Sequence, residues 1–275
     1  MRTTAASKNC PGRCGHCTRS AASTFLKCRL VSRNRTRWVH NLKLSIIIPA
    51  YNEAHTIEAV VRRAQAVDLG CVEKEILVVD DGSHDGTADV LKGLVGIRHI
   101  IHDHNAGKGA AITTGGRVAT GDIILLQDAD LEYDPADYPV VIKPILEKRC
   151  EIVIGSRFLL ERPVFFGRRR SPYLSHYVGN LFIVFLTNLL YRKRFTDYEG
   201  CYKAMTRDVF AKTPVSAKGF EFDNELLCKA MRKGVRIEEV PIHYKPRTYA
   251  SGKKITWRHG LIILWTILKW RVMLI

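Results

Sequence analysis

Gly121-Asp122-Ile123-Ile124-Leu125-Leu126-Gln127-Asp128-Ala129-Asp130-Leu131-Glu132-Tyr133-Asp134 is an apolar run of strand length that ends abruptly in carboxylates. A buried parallel strand reads this way because helices cover both of its faces. The carboxylates then fall at the C-terminal end of the strand, where open α/β sheets bind ligands. In extended chain, residues two apart point the same way, so Asp128 and Asp130 can converge on one ligand. Paired carboxylates repel, and a divalent cation such as Mg²⁺ or Mn²⁺ relieves the repulsion while sharing its hard oxygen ligands with substrate phosphates. Taken alone, an Asp-x-Asp after a strand reads first as a solvated acidic loop, so the rest of the chain has to decide.

Working outward, strand-like and helix-like stretches alternate. Leu44–Ile48, Glu75–Val79, Ile97–His102, Glu151–Ile154 and Val235–Tyr244 read as further strands, and Pro49 is expected to stop the first. Helical spacing covers Glu53–Ala66, Thr87–Leu94, Lys108–Val118, Pro135–Glu147 and Phe220–Gly234. This alternation predicts an α/β fold, a doubly wound and mostly parallel sheet with helices on both faces. At 275 residues and 46% hydrophobic composition, one large domain with an appendage is expected.

The charge is lopsided. Of the net +16, residues 1–41 carry +9 with no Asp or Glu, and they are expected to be a disordered extension or transit-type segment preceding a catalytic domain over 42–275. A basic chain suits anionic partners, namely nucleotide phosphates or lipid head groups. No aromatic-studded RNA-binding motif is present, so nucleic acid is not expected. Cys10, Cys14 and Cys17 have the spacing of iron–sulfur or zinc ligands, but no strand precedes them and no matching barrel follows. Cys71, Cys150, Cys201 and Cys228 are scattered singly among apolar neighbours, as buried free thiols of a reducing compartment would be. No apolar run reaches transmembrane length. Val178–Tyr191, flanked by basic triplets, suits a membrane interface or a core helix equally, and so does the amphipathic Ile255–Ile275.

Four strand ends carry unusual polar residues: Pro49-Ala50-Tyr51-Asn52-Glu53, Asp80-Asp81-Gly82-Ser83-His84-Asp85-Gly86-Thr87, His104-Asn105-Ala106-Gly107-Lys108-Gly109, and Asp128-Ala129-Asp130. A parallel sheet brings such loops to one edge. Together with Gly155-Ser156-Arg157-Phe158, Thr196-Asp197 and Glu239-Val240-Pro241-Ile242, these motifs resemble family 2 glycosyltransferases of the GT-A fold, over residues of about 43–258. The branch most similar is the dolichyl-phosphate mannose or glucose synthase-like group.

The resemblance implies roles. Pro49, Tyr51 and Glu53 would line the nucleoside pocket, Val79 and Asp81 would hold base and ribose, Asp128 and Ala129 would border the ribose, and Lys108 belongs to the same donor site. Asp130 would ligate the metal, with Glu132 standing where this branch often has a Gln ligand. Arg157, Arg247 and Lys253 would grip the diphosphate and the acceptor phosphate. The implied reaction is inverting transfer of a hexose, mannose or glucose type, from a GDP- or UDP-sugar to a polyprenyl phosphate. It would be run by a cytoplasmic enzyme held peripherally on the inner face of a membrane. A saccharide or cell-envelope hydroxyl is the alternative acceptor and would require a base, for which Asp197 and Asp223 are candidates. Asp223 reads more readily as a helix cap. A non-enzymatic nucleotide or metal sensor is the reading of a different class, and the intact phosphate and metal residues argue against it.

Overall fold

The computed structural model describes residues 28–30, 37–39, 42–160, 174–246 and 257–273. Arg247, Lys253 and the Cys10–Cys17 cluster lie outside the described residues. The chain divides into two compact units, Met1–His40 and Asn41–Ile275. In the first, β1 (Cys28–Leu30) and β2 (Arg37–Val39) form an antiparallel ribbon.

The second unit is built on a seven-stranded sheet. Its strands are β3 (Lys43–Ala50), β4 (Glu73–Asp80), β5 (Arg98–Ile101), β6 (Ile123–Leu126), β7 (Ile152–Ser156), β8 (Lys203–Thr206) and β9 (Ile237–Pro241), in the order β5-β4-β3-β6-β8-β7-β9. All are parallel except β8, which runs antiparallel between β6 and β7. β8 is a strand the sequence pattern does not announce. It is four residues long and contains a lysine, and only its position between two buried strands makes it strand.

Side-chain alternation divides the core in two. Leu44, Ile46 and Ile48 of β3, with Ile123 and Leu125 of β6, pack on the face covered by α1 (Ile57–Ala66), α2 (Thr87–Lys92) and α4 (Tyr138–Leu146). Ile47, Ile124 and Leu126 point the other way. That face is covered by α3 (Lys108–Val118), α5 (Leu174–Tyr191), α6 (Arg207–Lys212), α7 (Phe222–Arg232) and α8 (Trp257–Val272). Strands buried on both faces explain the unbroken apolar runs.

Pro49 does not end β3. The ladder with β4 continues to Ala50↔Asp80, whereas the ladder with β6 stops at Ile47↔Leu126. Ile47 C=O faces β6 and Ala50 C=O faces the β4 side. The missing N–H of Pro49 therefore falls on the side already unpaired, so no ladder bond is lost. From β3 the chain runs outward through β4 to β5, then crosses back to β6 on the other side of β3. Loops leaving β3 and β6 part there and open a crevice at the carboxyl edge.

Cys150, Cys201 and Cys228 are buried free thiols, as expected. Cys71 is not: it is exposed and disulfide-bonded.

Candidate active site

A cavity of about 1300 Å³ occupies that edge. Pro49, Tyr51, Glu53, Asp81, Lys108, Asp128, Ala129, Asp130, Glu132 and Arg157 all line it, so ten of the expected site residues meet in one place. Val79 does not line it. It is fully buried in β4, and a Cβ on Gly115 of α3 would crowd its Cγ2 at 3.3 Å.

Much of the loop chemistry is structural. Asn52, at φ +52°, donates its N–H to Ser83 Oγ and accepts from His84 N–H, each at 2.9 Å, which stitches the first loop to the second. Asp85 accepts from Ala54 N–H and from Thr87, while Thr87 Oγ1 accepts from Glu53 N–H. Asp81 anchors the third loop. Its carboxylate accepts from Ala106 N–H (2.9 Å), Gly107 N–H (2.7 Å) and His102 Nδ1 (2.7 Å), while His102 Nε2 lies 3.0 Å from Thr114 Oγ1. A carboxylate has roughly four lone-pair sites, so little of Asp81 remains for a ligand. Gly82 (φ +72°) and Gly107 (φ +101°) are required: a Cβ would lie 2.6 Å from the His104 carbonyl carbon in one case and 2.3 Å from Lys218 O in the other. The N–H groups of Gly109 and Ala110 at the start of α3 also go to Lys218 O, so that helix end is already capped.

The two carboxylates of the opening stretch are not equivalent. Asp128 Oδ1 is 2.6 Å from Lys108 Nζ. Burial alone would raise the Asp128 pKa, and the lysine charge overrides it, leaving the carboxyl below its usual range. Burial would likewise lower Lys108, and Asp128 reverses it. Asp130 instead accepts from Glu132 N–H at 3.1 Å, and Glu132 faces the same cavity. Beneath them, Gln127 is fully buried: its Oε1 accepts from Tyr138 OH (2.8 Å) and Tyr202 OH (2.7 Å), and its amide donates to Asp128 O. This locks the backbone from which the acidic turn departs.

Arg157 forms a two-pronged pair with Asp197, Nε to Oδ2 at 2.7 Å and the terminal guanidinium nitrogen to Oδ1 at 2.8 Å. Asp197 is fully buried, and burial, which would raise its pKa, is outweighed by the guanidinium. The Arg157 guanidinium also lies over the Tyr244 ring, 5.2 Å from its centroid, and Arg157 lines the cavity.

The family's sequence profile, glycosyl transferase family 2, matches residues 45–213, the span carrying all of these loops. The chain belongs to this family. Glycosyltransferase AglD of Haloferax volcanii is 28% identical over 219 residues, covering 75% of this chain and 34% of its own length. The chain therefore spans about a third of that relative's length. UDP-N-acetylglucosamine–dolichyl-phosphate N-acetylglucosaminyltransferase of Methanococcus voltae is 32% identical over 233 residues, covering 76% of this chain and 89% of its own. Among solved structures, glucosyl-3-phosphoglycerate synthase of Mycobacterium tuberculosis, in complex with Mn²⁺, UDP and phosphoglyceric acid, superposes with a TM-score of 0.66 at 21% identity. The match covers 85% of this chain and 80% of that one, and the shared fold is GT-A.

The two candidate bases stand differently in the structure, and α5 and α8 add cavity-lining residues that sequence reasoning missed. Asp223 is not a cap: the residue before α7 is Glu221, and Asp223 turns its carboxyl to the cavity, 3.4 Å from Lys203 Nζ. Asp197, the other candidate base, is sealed behind Arg157 and does not line the cavity. From α5 and α8 come Asn180, Phe182, His259, Leu261 and Ile262. The spacing of α5 and α8 showed apolar helices; only packing shows that they roof the site.

Proposed function

We propose that this glycosyltransferase transfers a hexose, mannose or glucose type, from a GDP- or UDP-sugar to a polyprenyl phosphate at a membrane surface. One observation carries the acceptor assignment. Exposed Val178, Leu181, Phe182, Phe185 and Leu189 form one stripe on α5, and exposed Leu261, Ile262, Trp265, Leu268 and Val272 form another on α8. Phe182, Leu261 and Ile262 belong both to these stripes and to the cavity wall. An apolar surface of this kind marks an interaction site. Here it leads directly into a polar site, as a lipid with a charged head requires. Arg192, Lys193 and Arg194 follow α5, and Arg258, Lys269 and Arg271 lie on α8, which suits an anionic leaflet. No helix among the described residues is long and apolar enough to cross a membrane. Peripheral docking on the inner face is the corresponding reading. The helices are held firmly: Tyr191 OH donates to Ile267 O, Arg271 to Leu190 O, and Arg232 to Trp270 O. The dolichyl-phosphate transferase relative supports the same acceptor class.

The donor's nucleoside would lie over Pro49, Tyr51 and Glu53, with Asp81 ordering the adjoining loop. Among the described residues no group of three or more side chains forms a complete metal cage. Asp130 and Glu132 fit Mg²⁺ or Mn²⁺, which is commonly bound by one or two carboxylates plus substrate phosphates. When bound, the ion offsets charge on the departing diphosphate. Arg157, oriented by Asp197, presents guanidinium N–H groups to the same charge, and Arg247 and Lys253 are assigned there by motif. The acceptor phosphate is already anionic near neutral pH, so inversion needs no base. The alternative hydroxyl acceptor would need one, and Asp223 is the carboxylate placed to serve.

The test is turnover with Mn²⁺, a panel of GDP- and UDP-sugars including UDP-N-acetylglucosamine, and polyprenyl phosphate in anionic vesicles. Glycolipid formation from one donor is expected. Transfer only to saccharides, or no transfer, refutes the reading.

A further inference from the structure

The Glu239-Val240-Pro241-Ile242 motif at the end of β9 has no part in the transfer described above, yet the Glu239 carboxylate is heavily engaged beside Arg157. Its Oε1 accepts from Thr196 N–H (2.8 Å), Thr196 Oγ1 (2.8 Å) and Asp197 N–H (2.9 Å), and Oε2 lies 3.0 Å from Thr196 N. Thr196 commits its one hydroxyl proton to Glu239, so Ser156 Oγ, 2.6 Å away at the end of β7, must donate to Thr196 Oγ1. Ser156 Oγ in turn accepts from Phe158 N–H at 3.2 Å. The residues on either side of Arg157, and the backbone of the Asp197 that clamps it, are thus tied to one side chain of β9. Burial, with the Asp197 charge adding to it, raises the Glu239 pKa in spite of these bonds. A carboxylate so raised opposes folding at neutral pH, so stability alone does not account for it.

The same segment also reaches the acidic turn. Ile242 N–H donates to Ser156 O at 3.1 Å, Tyr244 forms an isolated bridge with Tyr133, and Lys245 N–H donates to Glu132 O at 2.9 Å. Residues 239–245 therefore hold the clamp of Arg157 at one end and the turn bearing Asp130 and Glu132 at the other. Both groups are assigned to the same diphosphate, and a misplacement of about 1 Å can cost on the order of a hundredfold in rate.

We propose that Glu239 is a positioning residue: through Thr196 and Asp197 it sets the place of the Arg157 guanidinium against the acidic turn. The inference rests on the glycosyl-transfer reading and deepens it. Calorimetry of the full chain with Mn²⁺ tests it, using UDP and GDP, which carry the charge that the departing diphosphate develops, and UMP and GMP, which lack the outer phosphate. Glu239→Ala should weaken the diphosphate about tenfold and leave the matching monophosphate within about twofold, a split that a general loss of structure would not produce. In an Arg157→Ala background the same substitution should cost less than about twofold, because the residue it acts through is gone. Glu239→Gln keeps an oxygen where Oε1 takes its bonds and should restore affinity to within about threefold of wild type. Thr196→Val keeps the shape and removes the hydroxyl link alone, which guards against misfolding of the alanine variant. It should weaken the diphosphate about threefold, and only while Arg157 is present. Full loss in the Arg157→Ala background, equal weakening of monophosphate and diphosphate, or a Glu239→Gln protein as weak as Glu239→Ala overturns the positioning role and leaves glycosyl transfer standing. Wild-type protein that binds neither UDP nor GDP overturns the glycosyl-transfer reading and this role together.

Discussion

Replacing Asp197 with asparagine separates two roles that the motif leaves open. In the structure Asp197 has no access to the cavity; it is a clamp, taking both prongs of Arg157 and also the N–H groups of Arg157 and Glu199. Removing one partner of a buried ion pair costs about 3–5 kcal/mol. Asparagine keeps one oxygen for Arg157, so the lower figure, about 3 kcal/mol, is expected. In a domain of this size that corresponds to a fall in Tm of roughly 6–12 °C. The pH dependence has a definite sign. The folded-state pKa of Asp197 is depressed, so its contribution is complete above the unfolded carboxyl value of about 3.9. It is lost as pH falls through the folded value. The gap between wild type and Asp197→Asn should therefore be largest at neutral pH and close in acid. Thermal denaturation between pH 3 and 8, read beside turnover on lipid phosphate, is the assay. Activity should fall through misplacement of Arg157 while a measurable rate survives. An Asp197→Asn protein with wild-type Tm and no turnover would show that Asp197 is a base, refuting both the clamp and the base-free mechanism.

Other predictions follow from the same geometry. Asp130→Ala should abolish metal-dependent activity more completely than Asp128→Ala, because Asp128 is already paired with Lys108; equal losses in a Mn²⁺ titration would restore the symmetric pair. Phe185 and Trp265 are 62% and 66% exposed. Aromatic side chains bury about 150–250 Å² each. Half-immersion of their exposed surface at about 25 cal/mol per Å² is worth roughly 3 kcal/mol. Phe185→Ser with Trp265→Ser should thus lower vesicle partitioning about a hundredfold, and unchanged co-sedimentation would remove the docking face. At the opposite edge of the sheet, burial would raise Glu75, but bonds from Ser45, Thr120 and Lys43 bring its pKa down to about 2. That contribution, of the order of 3 kcal/mol, is present above the unfolded value and lost on acidification toward 2. Glu75→Gln should therefore destabilise at pH 7 and converge on wild type near pH 2, as read by urea unfolding.

Local chemistry suffices for part of this protein. Apolar runs such as Ile123–Leu126 can only be strands covered on both faces, and period alone places α1, α3 and α7 close to their observed bounds. Because parallel strands end on one edge, the polar residues after β3, β4, β5 and β6 had to gather there. The sequence by itself therefore determined the parallel strands of the sheet and most of the polar edge of the cavity. Position in three dimensions decided the rest. Lys203 falls in none of the expected strands yet is fully buried in β8, which runs antiparallel between β6 and β7. Asp223 reads as a cap and instead faces the cavity. Val79 carries a motif position but packs in the core, since alternate side chains of a two-faced strand cannot all reach its end. The two carboxylates of the opening stretch look alike in sequence. They differ because Lys108, twenty residues earlier, is delivered to Asp128 by a helix crossing the sheet, and no local pattern records that meeting.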